Sequence, residues 1–150
     1  GRFIRAKRES GFNRFVFLFD HNFIPQPSMF WRRSLYEKVG GLDARFNLAM
    51  DSDLWERFSR ATRIVHVPEF LSCMRYYPEQ KTRALRPAGA KEDQEIRSRH
   101  ALGESNSRPL LRAVARVARI ASKAAAGGYR RHVPEPLISG LARYRIVGDT

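Results

Sequence analysis

Apolar residues along this chain recur with a helical period in some stretches and with a strand period in others. In residues 52–61, Leu54, Trp55 and Phe58 fall at i, i+1 and i+4, the spacing of one buried helix face. Arg108 to Ala126 is a longer case. There Leu110, Leu111, Val114, Val117, Ala118, Ile120 and Ala121 share one side, and Arg112, Arg116, Arg119 and Lys123 share the other. Gly127-Gly128 ends that helix. Ser34-Leu35-Tyr36-Glu37 has the form of a capping box and opens a helix that stops at Gly40-Gly41. A more polar helix is predicted from Lys91 to Leu102, ending at Gly103. Arg63 to Val67 alternates as a half-buried strand, and Phe70 to Tyr76 reads as a second strand after Pro68-Glu69. Met29 to Arg32 reads as a short strand, and the continuous apolar run Phe15 to Phe19 fits a buried strand or a helical turn equally. The prolines of Ile24-Pro25-Gln26-Pro27-Ser28 hold that segment extended, and Tyr77 to Thr82 is polar and turn-like.

The candidate chemistry sits in residues 48–58, where an irregular segment enters an amphipathic helix. Asp51 is predicted at the N-cap and Asp53 in the first turn, where free backbone N–H groups and the helix dipole favour an anion. A carboxylate held there can do no more than cap the helix, or it can accept a proton from a substrate.

Charge and cysteine usage narrow the classes. The 150 residues include 28 basic and 15 acidic side chains, for a formal net charge of +13. That balance suits nucleic acid, an anionic membrane surface or a phosphate-rich substrate. An apolar content of 43%, with ten Phe and two Trp, argues for a folded domain. The lone Cys73 excludes an internal disulfide framework and fits a reducing, cytoplasmic compartment. No apolar run reaches the ~18 residues of a membrane span, and no secretory signal is present. A start at Gly1 points to a fragment. His21, His66 and His100 have no spacing that suggests a metal site.

Three motifs taken together extend the picture. They are Ile-Pro-Gln-Pro-Ser-x-Phe-Trp-Arg-Arg-x-Leu-Tyr-x-Lys-Val-Gly-Gly-Leu-Asp from Ile24, Met-Asp-x-Asp-Leu-Trp-x-Arg from Met50, and Tyr-Tyr-Pro-x-Gln-Lys-Thr from Tyr76. In this order they resemble the acceptor side of a family 2 glycosyltransferase, over about 60 of the 150 residues. The resemblance implies an α/β fold class, the C-terminal part of a GT-A, Rossmann-like domain. It places that half at residues 1–83, with the donor-binding half missing and a basic helical extension at 84–150. It also implies an inverting transfer from a nucleotide-sugar donor to a glycan or lipid-linked acceptor hydroxyl, with Asp51 as general base.

Met50 stands where the family often has a glutamate. Gln26, Asp53, Trp55, Tyr77 and Lys81 are the matching candidates for substrate contact. Gln26 reads equally as a surface amide, Trp55 as a core anchor, Asp53 as an orienting group, and Lys81 as a solvated loop lysine. Tyr77 takes the place of a histidine that reaches the metal–diphosphate in the family, and a tyrosine is a poor ligand for a hard cation. The family's Mg²⁺ or Mn²⁺ belongs to a separate Asp-x-Asp motif that closes a donor-side strand. Asp51-Ser52-Asp53 has that spacing but opens a helix instead, so no metal ligand is assigned in this chain. Such a fragment is expected to be inactive alone.

Two other classes compete. A basic nucleic-acid module is motivated by charge, but no zinc spacing, RNA-binding signature or recognition-helix pair supports it. Association with an anionic membrane surface through residues 108–126 is compatible with the transferase reading, and would place the protein peripherally at the inner face of the membrane.

Overall fold

The computed structural model of the protein describes residues 8–72, 74, 77, 80, 84–100 and 108–129. Its helices are α1 (Arg14–Phe19), α2 (Arg33–Lys38), α3 (Met50–Ala61), α4 (Arg86–His100) and α5 (Arg108–Ala125), with a 3-10 turn at Gln26–Ser28. None of the described residues lies in a strand or sheet, so the α/β, Rossmann-like expectation is overturned and the fold is all-helical.

The physical reason is visible at residues 63–71. This segment has the alternation of a strand, but alternation stabilises a strand only against a neighbour that pairs its backbone and covers one face. Here Val65 is 74% exposed and Val67 is also exposed. The segment is held to the body through contacts such as Arg8 Nη2 donating to the Pro68 carbonyl at 2.7 Å. Met29 is likewise extended but outside any sheet.

The run Phe15–Phe19 resolves as helix because Asn13 caps it, its side-chain oxygen accepting from the Val16 amide at 3.1 Å. That turns Val16, Phe17 and Leu18 into the core, together with Phe23 and the α3 residues Leu54, Trp55 and Phe58. Truncating Phe58 or Trp55, each 1% exposed, would cost about 3–5 kcal/mol. Helix α2 starts from Arg32 rather than at the predicted capping box and makes no side-chain cap. It ends at Gly40 and Gly41, whose φ of 83° and 70° suit glycine alone without strain.

Helix α4 begins earlier than the sequence pattern suggests. Pro87 lies in its first turn, where a missing N–H costs nothing. Gly89, Glu92, Ile96 and Arg99 form one line along it, facing the segment before α3. A Cβ on Gly89 would sit 3.5 Å from Leu48, fully buried Ile96 packs with Phe46 and Ala49, and Arg99 lies 5.1 Å above the Phe46 ring. Its predicted end at Gly103 lies outside the described residues.

Helix α5 packs mainly on α1. Ala115 and Lys123 are buried there, and Ala118 reaches the main core. Arg119 pairs with Asp20, Ser122 Oγ lies 3.1 Å from Ser10 Oγ, and Lys123 Nζ reaches Glu9 at 2.8 Å. The helices expected as a C-terminal extension therefore cover both α1 and α3. No described helix is long and apolar enough to cross a membrane.

Candidate functional site

The mouth of α3 is built from two distant segments. The expected N-cap, Asp51, lies inside the helix; Ala49 holds the cap position and offers no side-chain bond. The capping task falls to Glu92 of α4. Its Oε2 accepts from the backbone amides of Asn47, Leu48 and Ala49 at 3.0, 2.8 and 2.9 Å. A carboxylate among converging N–H groups at a helix start is favoured by both hydrogen bonding and the dipole.

Asp51 shares that task from within the first turn. Its Oδ1 accepts only locally, from the Ser52 amide at 2.8 Å and its own backbone. Burial pushes the Asp51 carboxyl above the usual carboxylate range, and the nearby charge of Asp93 acts in the same sense. The two amide bonds oppose the rise without cancelling it. Asp93 is itself paired with Arg97, which also donates to the Asp20 carbonyl. Beside Asp51, the Ser52 hydroxyl accepts from Asn22 Nδ2 at 2.9 Å, and Asn22 Oδ1 accepts from the Ile24 amide. This ties the Pro-rich segment to the start of α3. A half-buried carboxylate with raised basicity, beside a hydroxyl and an amide, is chemically a proton acceptor.

Asp53 has a different setting. It is buried, and its Oδ2 accepts from Arg57 Nη2 at 2.6 Å and Nε at 2.8 Å. Arg57 also donates to the Val39 carbonyl, so the pair locks the end of α2 to α3. Both residues line an open cleft of about 500 Å³ with Gly40, Gly41, Asp43 and Arg45, and Asp51 is not part of its lining. The Asp43 carboxyl is held down at about 2 by hydrogen bonds from Arg45.

The structure does not gather the remaining candidates around Asp51. Trp55 is fully buried, a core residue whose Nε1 finds no partner among the described residues. Gln26 is exposed on the 3-10 turn, Tyr77 is exposed, and Lys81 lies outside the described residues. Among the described residues no group of His, Cys, Asp or Glu converges to hold a metal ion. Sequence reasoning missed Trp31 as a surface feature. It is 40% exposed, with its ring 5.4 Å from Trp55 and 5.8 Å from Phe58. Trp55 follows Asp51 by one turn on the same face of α3.

The chain matches no family model, no curated protein and no solved structure.

The positive charge is also more structured than its total suggests. Arg14 and Arg60 both meet the buried carboxylate of Glu56, while Arg57, Arg97, Arg119 and Lys123 are paired as described. Much of the cationic surface thus serves internal ion pairs rather than one continuous basic face.

Proposed function

We propose that this chain supplies the acceptor-activating side of an inverting glycosyl transfer, with Asp51 as its general base. The observation that supports this most is the half-buried Asp51 carboxylate at the mouth of α3, raised in basicity by burial although it accepts two local amides. The acceptor hydroxyl approaches Asp51, gives up its proton as its oxygen attacks the anomeric carbon, and the donor's nucleoside diphosphate leaves from the opposite face. A base whose pKa lies nearer the working pH removes that proton more effectively. Ser52 and Asn22 keep the base's neighbourhood in place, and the exposed ring of Trp31 gives an acceptor sugar an apolar surface on the same side of α3. The nucleotide-sugar and its Mg²⁺ or Mn²⁺ would bind elsewhere in the complete enzyme.

Asp51→Asn in the complete transferase tests it. Asparagine keeps size and amide-accepting oxygen but loses basicity, so kcat should fall about 10²–10⁴-fold with donor binding little changed. Asp51→Glu, which retains a base in a shifted position, should keep more of the rate. A kcat within threefold of wild type for Asp51→Asn would reject the assignment. Asp53→Asn is unsuitable as a neutral control, since it breaks the Arg57 pair.

A further inference from the structure

We propose that the cleft beside Asp53 binds the phosphate group of a small molecule, with Arg45 and Arg99 donating to it and Arg57 adding charge. At about 500 Å³ the cleft has the size of a small-molecule site. Three separate parts of the chain each bring an arginine to it: Arg45 from the loop after α2, Arg57 from α3 and Arg99 from α4. Asp43 and Asp53 are the carboxylates of the lining, and residues 39–42 and Ala44 add no charged side chain. A Cβ built on Gly40 would meet nothing within 4 Å, so the cleft is open there to a group larger than an ion.

The hydrogen bonds show which chemistry is in surplus. Arg57 donates twice to Asp53 and once to the Val39 carbonyl. Arg45 turns Nε and Nη2 to Asp43, and its Nη1 has no partner among the described residues. Arg99 donates from Nη2 to Glu95, while its Nε and Nη1 have no partner among the described residues. Both oxygens of Asp43 already accept from Arg45. Unused donors on two guanidinium groups therefore face acceptors that are already engaged, and the complementary ligand is an acceptor. Glu95 is more than half exposed and outside the lining, and its i,i+4 pair with Arg99 is of the weak surface kind, so an anion can share that arginine. The Phe46 ring, 5.1 Å below Arg99, helps to hold its plane. A carboxylate matches one guanidinium fork, whereas a phosphate has a third oxygen with which to engage a second arginine. Asp51 does not line this cleft, so the inference is independent of the role given to it.

Calorimetric titration of the 150-residue protein at constant ionic strength tests it, with inorganic phosphate and ribose 5-phosphate as probes and acetate as the carboxylate control. Both phosphate probes should saturate a single site, shift the amide resonances of Gly40, Gly41 and Ala44, and bind about tenfold or more tightly than acetate. Arg45→Gln with Arg99→Gln should weaken them about tenfold or more. Arg112→Gln with Arg116→Gln removes the same charge from exposed positions outside the cleft and should change affinity by less than about twofold. If the first pair loosens the loop at Asp43, Arg99→Lys, which keeps the charge and loses the fork, should still weaken binding about threefold. No saturable binding, an equal loss in the two arginine pairs, acetate bound as well as phosphate, or shifts that spare Gly40, Gly41 and Ala44 would each overturn the proposal.

Discussion

Replacing Glu92 by alanine should do more damage than its place on a polar helix suggests. The change removes one carboxylate oxygen that three amides share, those of Asn47, Leu48 and Ala49. A hydrogen bond to a charged acceptor contributes about 1.5–3 kcal/mol net. Asn47 is exposed and recovers a water partner, so its loss is small; Leu48 is half-buried and Ala49 buried, and their amides cannot fully rehydrate. Counting mainly these two gives about 3–5 kcal/mol for Glu92→Ala. For a chain of this length that lowers Tm by about 10 °C. Glu92→Gln keeps an oxygen in position without the charge, and since charged bonds are about twice as strong, it should lose about half as much. Glu92→Asp is one methylene shorter and should behave like alanine. Urea denaturation gives the free energies, and amide hydrogen exchange localises them, with faster exchange expected first at Leu48 and Ala49. A loss below about 0.5 kcal/mol for Glu92→Ala, the range of ordinary surface substitutions, would refute the reasoning. So would unchanged protection at those two amides.

Two other outcomes follow from the same site. Asp51 has a raised pKa in the folded protein, so its contribution to stability is full below the unfolded carboxylate pKa and is lost as pH rises through the folded value. Asp51→Asn should therefore be more stable than wild type at neutral pH, and the advantage should vanish in acid; thermal melts across pH would contradict this by showing the opposite trend. Asp53→Asn should destabilise by about 2–3 kcal/mol, less than a fully buried pair because Arg57 stays partly solvated and keeps its bond to Val39, as a urea titration can measure.

What the sequence made legible was local. The face Leu54-Trp55-Phe58, the two-glycine stop at Gly40-Gly41 and the start of α5 at Arg108 all follow from contacts within a few residues. The cap of α3 was out of reach, since its carboxylate comes from more than forty residues downstream. Helix α4 starts at Arg86, ahead of the predicted Lys91, with Pro87 in its first turn and Gly89 letting the helix approach Leu48. The Val65 and Val67 alternation was misread because periodicity shows which side chains share a face and not whether another strand lies beside it. In α5 the periodicity showed two faces but not which one turns inward. Small Ala115 and Ala118 permit a close approach to α1, while Arg119 and Lys123 reach carboxylates at Asp20 and Glu9.

The pairing of α1 with α5 also sets an order of events at the ribosome. Asp20 and Arg119 are 99 residues apart, so α1 is among the first described helices synthesised and α5, which covers its outer side, the last. At roughly 5–20 residues per second, that side stays bare for about 5–20 s of translation. During this interval α3 can already cover the inner side with Leu54, Trp55 and Phe58. The nascent chain therefore passes through a half-closed stage, and its final compaction waits on the arrival of Ala115, Ala118 and Arg119.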